Sequence, residues 1–369
     1  MKNMKHIEEL KQLFNKGQND YQTLKANIEN QVVRWFWTSN DFFSLNPFWF
    51  EQNRFSKGKI LKEEPTKNRQ YAVQYGVNAA DEIIVARGMT SFKDNFYETF
   101  CFRSQNEILS YHFDYGNDKE LINIKKFLYE NNQLTEIYSF FEENGYWIEH
   151  FIYENDKLIR KEWQGVDNYG ENFNRTMNYD YDEIGQLKTI REGDYIWYQK
   201  PQKGLSYKKL TELVQEKLLA LLKQNIKNHA PSEKLYCINL SYFSQNIIPP
   251  QIGFGTQSDR VQWTKDESHS DIIWNVADYS HWVEIDTDDE TANLFDLFNQ
   301  QTELNEKYST ATKVLVECAK ALKQDLQEFN LNKTDDFVIV AGYFDQSDFK
   351  KNFKAINPEK MNEFKKILK

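Results

Sequence analysis

The sequence predicts an α+β protein: a short helical N-terminus, then a sheet of antiparallel β-hairpin repeats, then an α/β sandwich domain. Three observations lead there. Aromatic residues make up 15% of the 369, and such side chains favour pleated, half-buried surfaces. Through the middle of the chain an aromatic, followed shortly by an aliphatic, recurs every 24 to 28 residues. Beyond residue 200 the pattern changes to helical stripes separated by short apolar strands. The length suits two or three domains at roughly 100–200 residues each. The boundaries read as 1–60, 61–200 and 201–369.

Residues 1–30 read as one or two amphipathic helices. Ile7, Leu10, Leu13 and Phe14 share one face, and Tyr21, Leu24 and Ile28 repeat the spacing. The stretch 32–50 is dense in rings: Trp35, Phe36, Trp37, Phe42, Phe43, Phe48, Trp49 and Phe50. Its expected place is in the interior, packing a helix onto a sheet edge. The repeat aromatics are Tyr75, Phe102, Tyr129, Tyr153 and Tyr181, and their aliphatics are Ile83, Ile108, Leu134, Leu158 and Leu187. Asn, Asp and Gly lie between each strand pair, where a turn needs positive φ or a side chain that bonds its own backbone. Each unit is thus a hairpin. Because no unit buries its apolar face alone, the units are expected to line up into a long meander or curved sheet.

Gln199 to Gly204 reads as a linker. Ser206 is placed to cap a helix whose stripe runs Leu210, Leu213, Val214, Leu218, Leu221, Leu222 and Ile226. A strand is expected over 235–243 and a second, short one over 251–256 after Pro249-Pro250, with Gly253 and Gly255 shaping a bend. Helices are expected at 289–300 and 303–329, a buried strand at Phe337–Ala341, and a last helix over 359–368 entered through Asn357-Pro358.

The unit Tyr179-Asp-Tyr-Asp-Glu-Ile-Gly-Gln-Leu187 resembles the YD repeat of bacterial Rhs-type and wall-associated toxin proteins. Earlier units replace the glycine with Asn-Asn or Asn-Asp, as in Phe127–Leu134 and Phe151–Leu158. The resemblance implies a sheet of hairpins, here with too few units to close a large shell. The C-terminal half resembles an uncharacterised domain family among immunity proteins of bacterial polymorphic-toxin systems. Its opening amphipathic helix with strand 235–243, the stretch Trp274 to Trp282 and the closing Phe337 strand with Asn357-Pro358 carry that resemblance. It implies a cytoplasmic protein that binds a cognate toxin and has no catalytic role.

The formal net charge of −10 speaks against a nucleic-acid or anionic-membrane binder, since phosphate contacts need clustered Lys and Arg, and suits a basic protein partner. Cys101, Cys237 and Cys318 are too scattered for a disulfide framework or a zinc site, which points to a reducing compartment. No signal peptide or membrane-spanning segment is expected. His281 with Glu284 and Asp286 is the one local histidine–acid group. Asp286 to Glu290 fails as a calcium loop, because Thr291 and Leu297 stand where Gly and a bidentate Glu are needed. Ser268 to Asp271 holds triad residue types without triad spacing. No cofactor, metal or catalytic residue is expected.

From Asp266 to Glu290 no Lys or Arg interrupts Asp266, Glu267, Asp271, Asp278, Glu284, Asp286, Asp288, Asp289 and Glu290, and Trp274, Tyr279 and Trp282 stand among them. Charge steers a basic partner and aromatics anchor it. The expected partner-binding residues are Trp274, Trp282, Asp286, Asp288, Asp289 and Glu290. Two rival functions are a hydrolase whose carboxylates come together from distant parts of the chain and an adaptor that uses the repeat sheet for strand addition.

Overall fold

Strict alternation of apolar residues, punctuated by turn residues, makes the first half of the chain a meander. A computed structural model describes residues 2–66, 69–92, 95–116, 118–142, 145–243, 246–264 and 272–363. It divides into two units, Met1–Lys200 and Pro201–Lys369. The chain is α+β in both.

The first unit opens with helices α1 (Lys2–Gly17) and α2 (Tyr21–Glu29), strand β1 (Arg34–Thr38), one helical turn α3 (Trp49–Asn53) and strand β2 (Ile60–Leu61). Eleven strands follow: β3 (Val73–Val77), β4 (Ile83–Met89), β5 (Phe96–Arg103), β6 (Glu107–Phe113), β7 (Leu121–Glu130), β8 (Gln133–Phe141), β9 (Tyr146–Glu154), β10 (Lys157–Val166), β11 (Asn172–Tyr181), β12 (Leu187–Glu192) and β13 (Tyr195–Gln199). All thirteen join one antiparallel sheet, ordered β13 through β3 in sequence and then β1 and β2. Segment 1–60 therefore supplies strand β1 and the start of β2 to the repeat sheet.

The turn chemistry is as the sequence requires. Asn131 and Asn132 (φ 52° and 65°) close β7 onto β8, and Asn155 and Asp156 (φ 49° and 62°) close β9 onto β10. Gly185 (φ 78°) completes the turn into β12, where Asp182 Oδ1 accepts from the amides of Ile184 and Gln186.

The two faces of the sheet bury different partners. On one, Ile7, Leu10, Phe14 and Ile28 of α1 and α2 pack on Phe100, Phe113, Ile124, Tyr138 and Ile148. On the other, the repeat aliphatics Ile108, Leu134, Leu158 and Leu187 line up with Tyr129, Tyr153 and Tyr181 beneath Leu45 and Phe48. Phe102 departs from the other aromatics and packs against the helix-covered face. The rings of 32–50 are half-buried: residues 34–38 form an inner strand, and 41–55 run as a strap across the second face.

That strap shows how the sheet curves. Phe42 N donates to Tyr75 Oη on β3 at 3.1 Å, and the Phe48 ring lies 5.8 Å from that of Tyr179 on β11. Eight strand steps separate β3 from β11, about 38 Å across a flat sheet. Six residues reach about 20 Å. The sheet must curl toward the strap, making this face concave.

In the second unit, α4 (Tyr207–His229), β14 (Leu235–Tyr242), β15 (Gln251–Thr256), α5 (Gln257–Trp263), β16 (Trp282–Val283), α6 (Asp289–Leu304), α7 (Tyr308–Gln324), β17 (Lys333–Tyr343) and α8 (Phe349–Ile356) follow in order. Ser206 caps α4 by accepting from Lys209 N. The mixed sheet runs β16-β15-β14-β17, with β14 parallel to β17 and the other pairs antiparallel. One face buries Leu218 and Leu222 of α4, Phe295 and Phe298 of α6, and Leu315 and Leu322 of α7. The other buries Trp274, Val276, Tyr279, Phe349 and Phe353.

Two expectations change. Gly253 and Gly255 lie within β15 rather than at a bend. A Cβ on Gly253 would sit 2.7 Å from Val276 Cγ2, so this glycine lets the 272–279 segment approach the sheet closely, and one on Gly255 would sit 2.7 Å from Cys237 Sγ, so that glycine makes room for the Tyr236 and Cys237 side chains of β14. The last described helix is α8, ahead of Asn357 instead of after it. Asn357 is fully buried and its Nδ2 donates to Ile339 O at 2.7 Å, which turns the chain there. Among the described residues only a 3-10 turn follows (Pro358–Lys360), and residues 364–368 of the expected helix lie outside the described residues.

Candidate functional site

Helix α6 builds the first candidate site. Asp288 caps it, with Oδ1 accepting from Thr291 N at 2.8 Å, and Asp289 and Glu290 fill its first turn, where carboxylates meet the positive end of the helix dipole. About three turns along, Asn299 grips the β14–β15 connection: its Nδ2 donates to Ile248 O at 2.6 Å and its Oδ1 accepts from Ile248 N at 3.3 Å. A cleft of about 390 Å³ opens between this connection and α6, with Ile248, Ile285 and Phe295 as apolar wall and Glu284 and Asp296 as acids.

Of the expected binding residues, Trp282 is 47% exposed at the edge of the sheet, and Asp286, Asp288, Asp289 and Glu290 are all exposed. Glu284, Asp286, Asp289 and Glu290 have no hydrogen bond or ion pair from their side chains among the described residues. Trp274 is corrected. It is 3% exposed and its ring lies 5.0 Å from Phe349 in the second unit's own core, so no partner can reach it. Tyr279 is buried in the same core. His281 turns away from Glu284 and Asp286 and meets Glu233 at 3.4 Å instead. Asp266, Glu267, Asp271 and Ser268 to Asp271 fall outside the described residues.

Sequence reasoning missed a second site, on the concave face of the first unit. A cleft of about 350 Å³ lies between the strap and strands β3 to β7. Thr99, His112 and Asn123 stand opposite one another on β5, β6 and β7, and Cys101, Ser110 and Lys125 form the next row. Asp41 of the strap faces them. Burial raises the Asp41 carboxyl above its usual pKa. It lowers that of the Lys125 amine, with Lys161 adding to the effect and Glu149 opposing it. The discernible signal was alternation: Asn123 and Lys125 occupy the same face as Phe127 on a strand whose inward positions should be apolar.

His112 binds Thr99 Oγ1 through Nδ1 at 2.8 Å and stacks on Tyr97. Burial, helped by Lys125, lowers its pKa from 6.5 to about 4. The folded protein thus refuses a proton that the unfolded chain accepts between those values, so stability is unaffected above pH 6.5 and falls as pH drops toward 4. A loss of roughly 2–3 kcal/mol across that window is expected from this group. Comparing urea midpoints of wild type and His112→Gln at pH 7 and pH 4.5 checks it: the variant should show the shallower decline, and equal declines would remove His112 as the cause.

The three cysteines are buried and free, and burial pushes Cys237 and Cys318 up to about 12, which leaves them as poor nucleophiles. Among the described residues no three His, Cys, Asp or Glu side chains gather as a metal site, and no helix is long and apolar enough to cross a membrane. No protein-family model matches the chain, and a search of curated proteins finds no match.

Proposed function

We propose that the chain is a non-catalytic binding protein of the immunity type, acting in the cytoplasm, which neutralises a toxin by seating a basic surface of it on the acidic face around Trp282–Glu290. One observation carries this. Glu284, Asp286, Asp289 and Glu290 are exposed and have no ion pair among the described residues, beside an exposed tryptophan and a cleft bearing Glu284 and Asp296 that suits an inserted Lys or Arg side chain. Unpaired charge of one sign accelerates encounter with the opposite sign, and a half-exposed indole is the kind of residue that anchors such interfaces.

The rivals receive less support. A two-carboxylate hydrolase needs a pair of acids; among the described residues Asp41 is the one acid lining the concave cleft, and the pair in the α6 cleft, Glu284 and Asp296, is read here as the seat of a basic side chain. Strand addition needs free edge groups, yet Arg54 already donates to the carbonyls of Ile196 and Trp197 on the edge strand β13, at 3.1 and 3.2 Å.

Because Asp288 caps α6, the discriminating variant leaves it alone and carries Glu284→Lys, Asp286→Lys and Glu290→Lys. Partner affinity is expected to fall about ten-fold or more, with a weaker dependence on salt. Trp282→Ala is expected to cost a similar factor at all salt concentrations. Titration calorimetry against the captured partner reads both. Affinity unchanged in the triple variant would place the interface elsewhere.

A further inference from the structure

The concave cleft of the first unit holds two opposite charges that no described residue pairs directly. Asp41 and Lys125 line the same 350 Å³ space. Neither side chain has a hydrogen bond or ion pair to any described residue, although the neighbouring buried charges on this face are matched: Lys161 pairs with Glu149 at 3.1 Å and also meets Gln52 at 3.3 Å. On the neighbouring strand directly across from Lys125, Ser139 is wholly buried and its hydroxyl has no hydrogen-bond partner among the described residues. Sequestering a charge without a counter-charge is costly, so proteins normally pair it. Two such groups facing one cavity, too far apart to satisfy each other, mark where a ligand supplies the missing charges.

We propose that this cleft binds a small zwitterion of the amino-acid or short-peptide class, its carboxylate on Lys125 and its ammonium on Asp41. Phe43, Trp49 and Phe127 supply an apolar wall for a side chain. His112 is neutral above about pH 4, so it can serve the ligand as a hydrogen-bonding imidazole and does not compete as a charge. The site is in the first unit and does not depend on the acidic face of the second.

The test uses the full chain, titrated calorimetrically with each L-amino acid and with glycyl di- and tripeptides. At least one is expected to bind with a Kd of about 1 mM or tighter. Its N-acetyl and its amide derivatives, and the variants Asp41→Asn and Lys125→Met, should each weaken binding about ten-fold or more. The variants should also melt no lower than wild type in the absence of ligand, because burial disfavours each charge by more than its surroundings return, the attraction of Glu149 for Lys125 included. A drop in their ligand-free melting temperature would show that the two residues are structural and overturn the proposal. So would the absence of binding by every probe, or equal binding of a simple carboxylate that lacks the amine.

Discussion

Arg87→Met is expected to lower the stability of the 1–200 unit by about 3–5 kcal/mol, the cost of stripping one partner from a buried ion pair. Glu98 on β5 is fully buried. Its carboxylate takes the Arg87 Nε at 2.7 Å on one oxygen and the Tyr21 hydroxyl at 2.6 Å on the other. Arg87 reaches further, to Glu29 of α2, and its guanidinium lies 4.4 Å from the Trp35 ring centre. One side chain therefore ties α2 to β4, β5 and β1. Without it Glu98 is left with the phenol alone, and burial together with that bond pushes the Tyr21 phenol's pKa up, keeping it a neutral donor. Urea denaturation followed by tryptophan fluorescence measures the loss. The double variant Arg87→Met/Glu98→Gln should recover part of it, since the orphaned charge is gone. A loss below about 1 kcal/mol for the single variant would mean that water reaches Glu98.

Lys161→Met removes the partner of Glu149 on the concave face. Both side chains are under 10% exposed and 3.1 Å apart, so the starting expectation is again several kcal/mol. Here a second cation stands close. Lys125 feels Glu149 as a favourable charge and Lys161 as an unfavourable one. With Lys161 gone, Lys125 becomes the natural counter-ion for Glu149. The single variant should thus cost about 2 kcal/mol, and Lys125→Met/Lys161→Met should cost about 2 kcal/mol more than the two single losses added together. Additivity within about 0.5 kcal/mol would show that Lys125 and Glu149 do not communicate.

The repeat sheet was legible because its information is local. Alternation set the strands, and Asn131-Asn132, Asn155-Asp156 and Gly185 set the turns within a few residues of the chain they fold. The long helix α4 and strand β14 were legible for the same reason, through Ser206 and an unbroken apolar stripe. What escaped depends on contacts between distant residues. Trp274 has the composition of a surface anchor and is drawn inside by Phe349 and Phe353, some seventy-five residues away. Gly253 and Gly255 look like bend formers until the 272–279 segment packs on the first and the Tyr236 and Cys237 side chains on the second. Asp41, His112 and Lys125 share no motif. They meet because the strap crosses a sheet whose curvature no single repeat encodes. The exposed acids of the 282–290 stretch were legible because several like charges close together in the chain cannot all be desolvated at once.

The central claim, that the acidic face of the second unit receives a basic protein partner, is tested most directly by affinity capture. The tagged wild-type chain and the Glu284→Lys/Asp286→Lys/Glu290→Lys variant are each used to capture proteins from lysate of the cells that make them, at low and moderate salt, with mass spectrometry of what is retained. The account predicts one basic protein held by the wild type at low salt, released as salt rises and missing from the variant. The same proteins held equally by both chains, or a partner indifferent to salt, would contradict it.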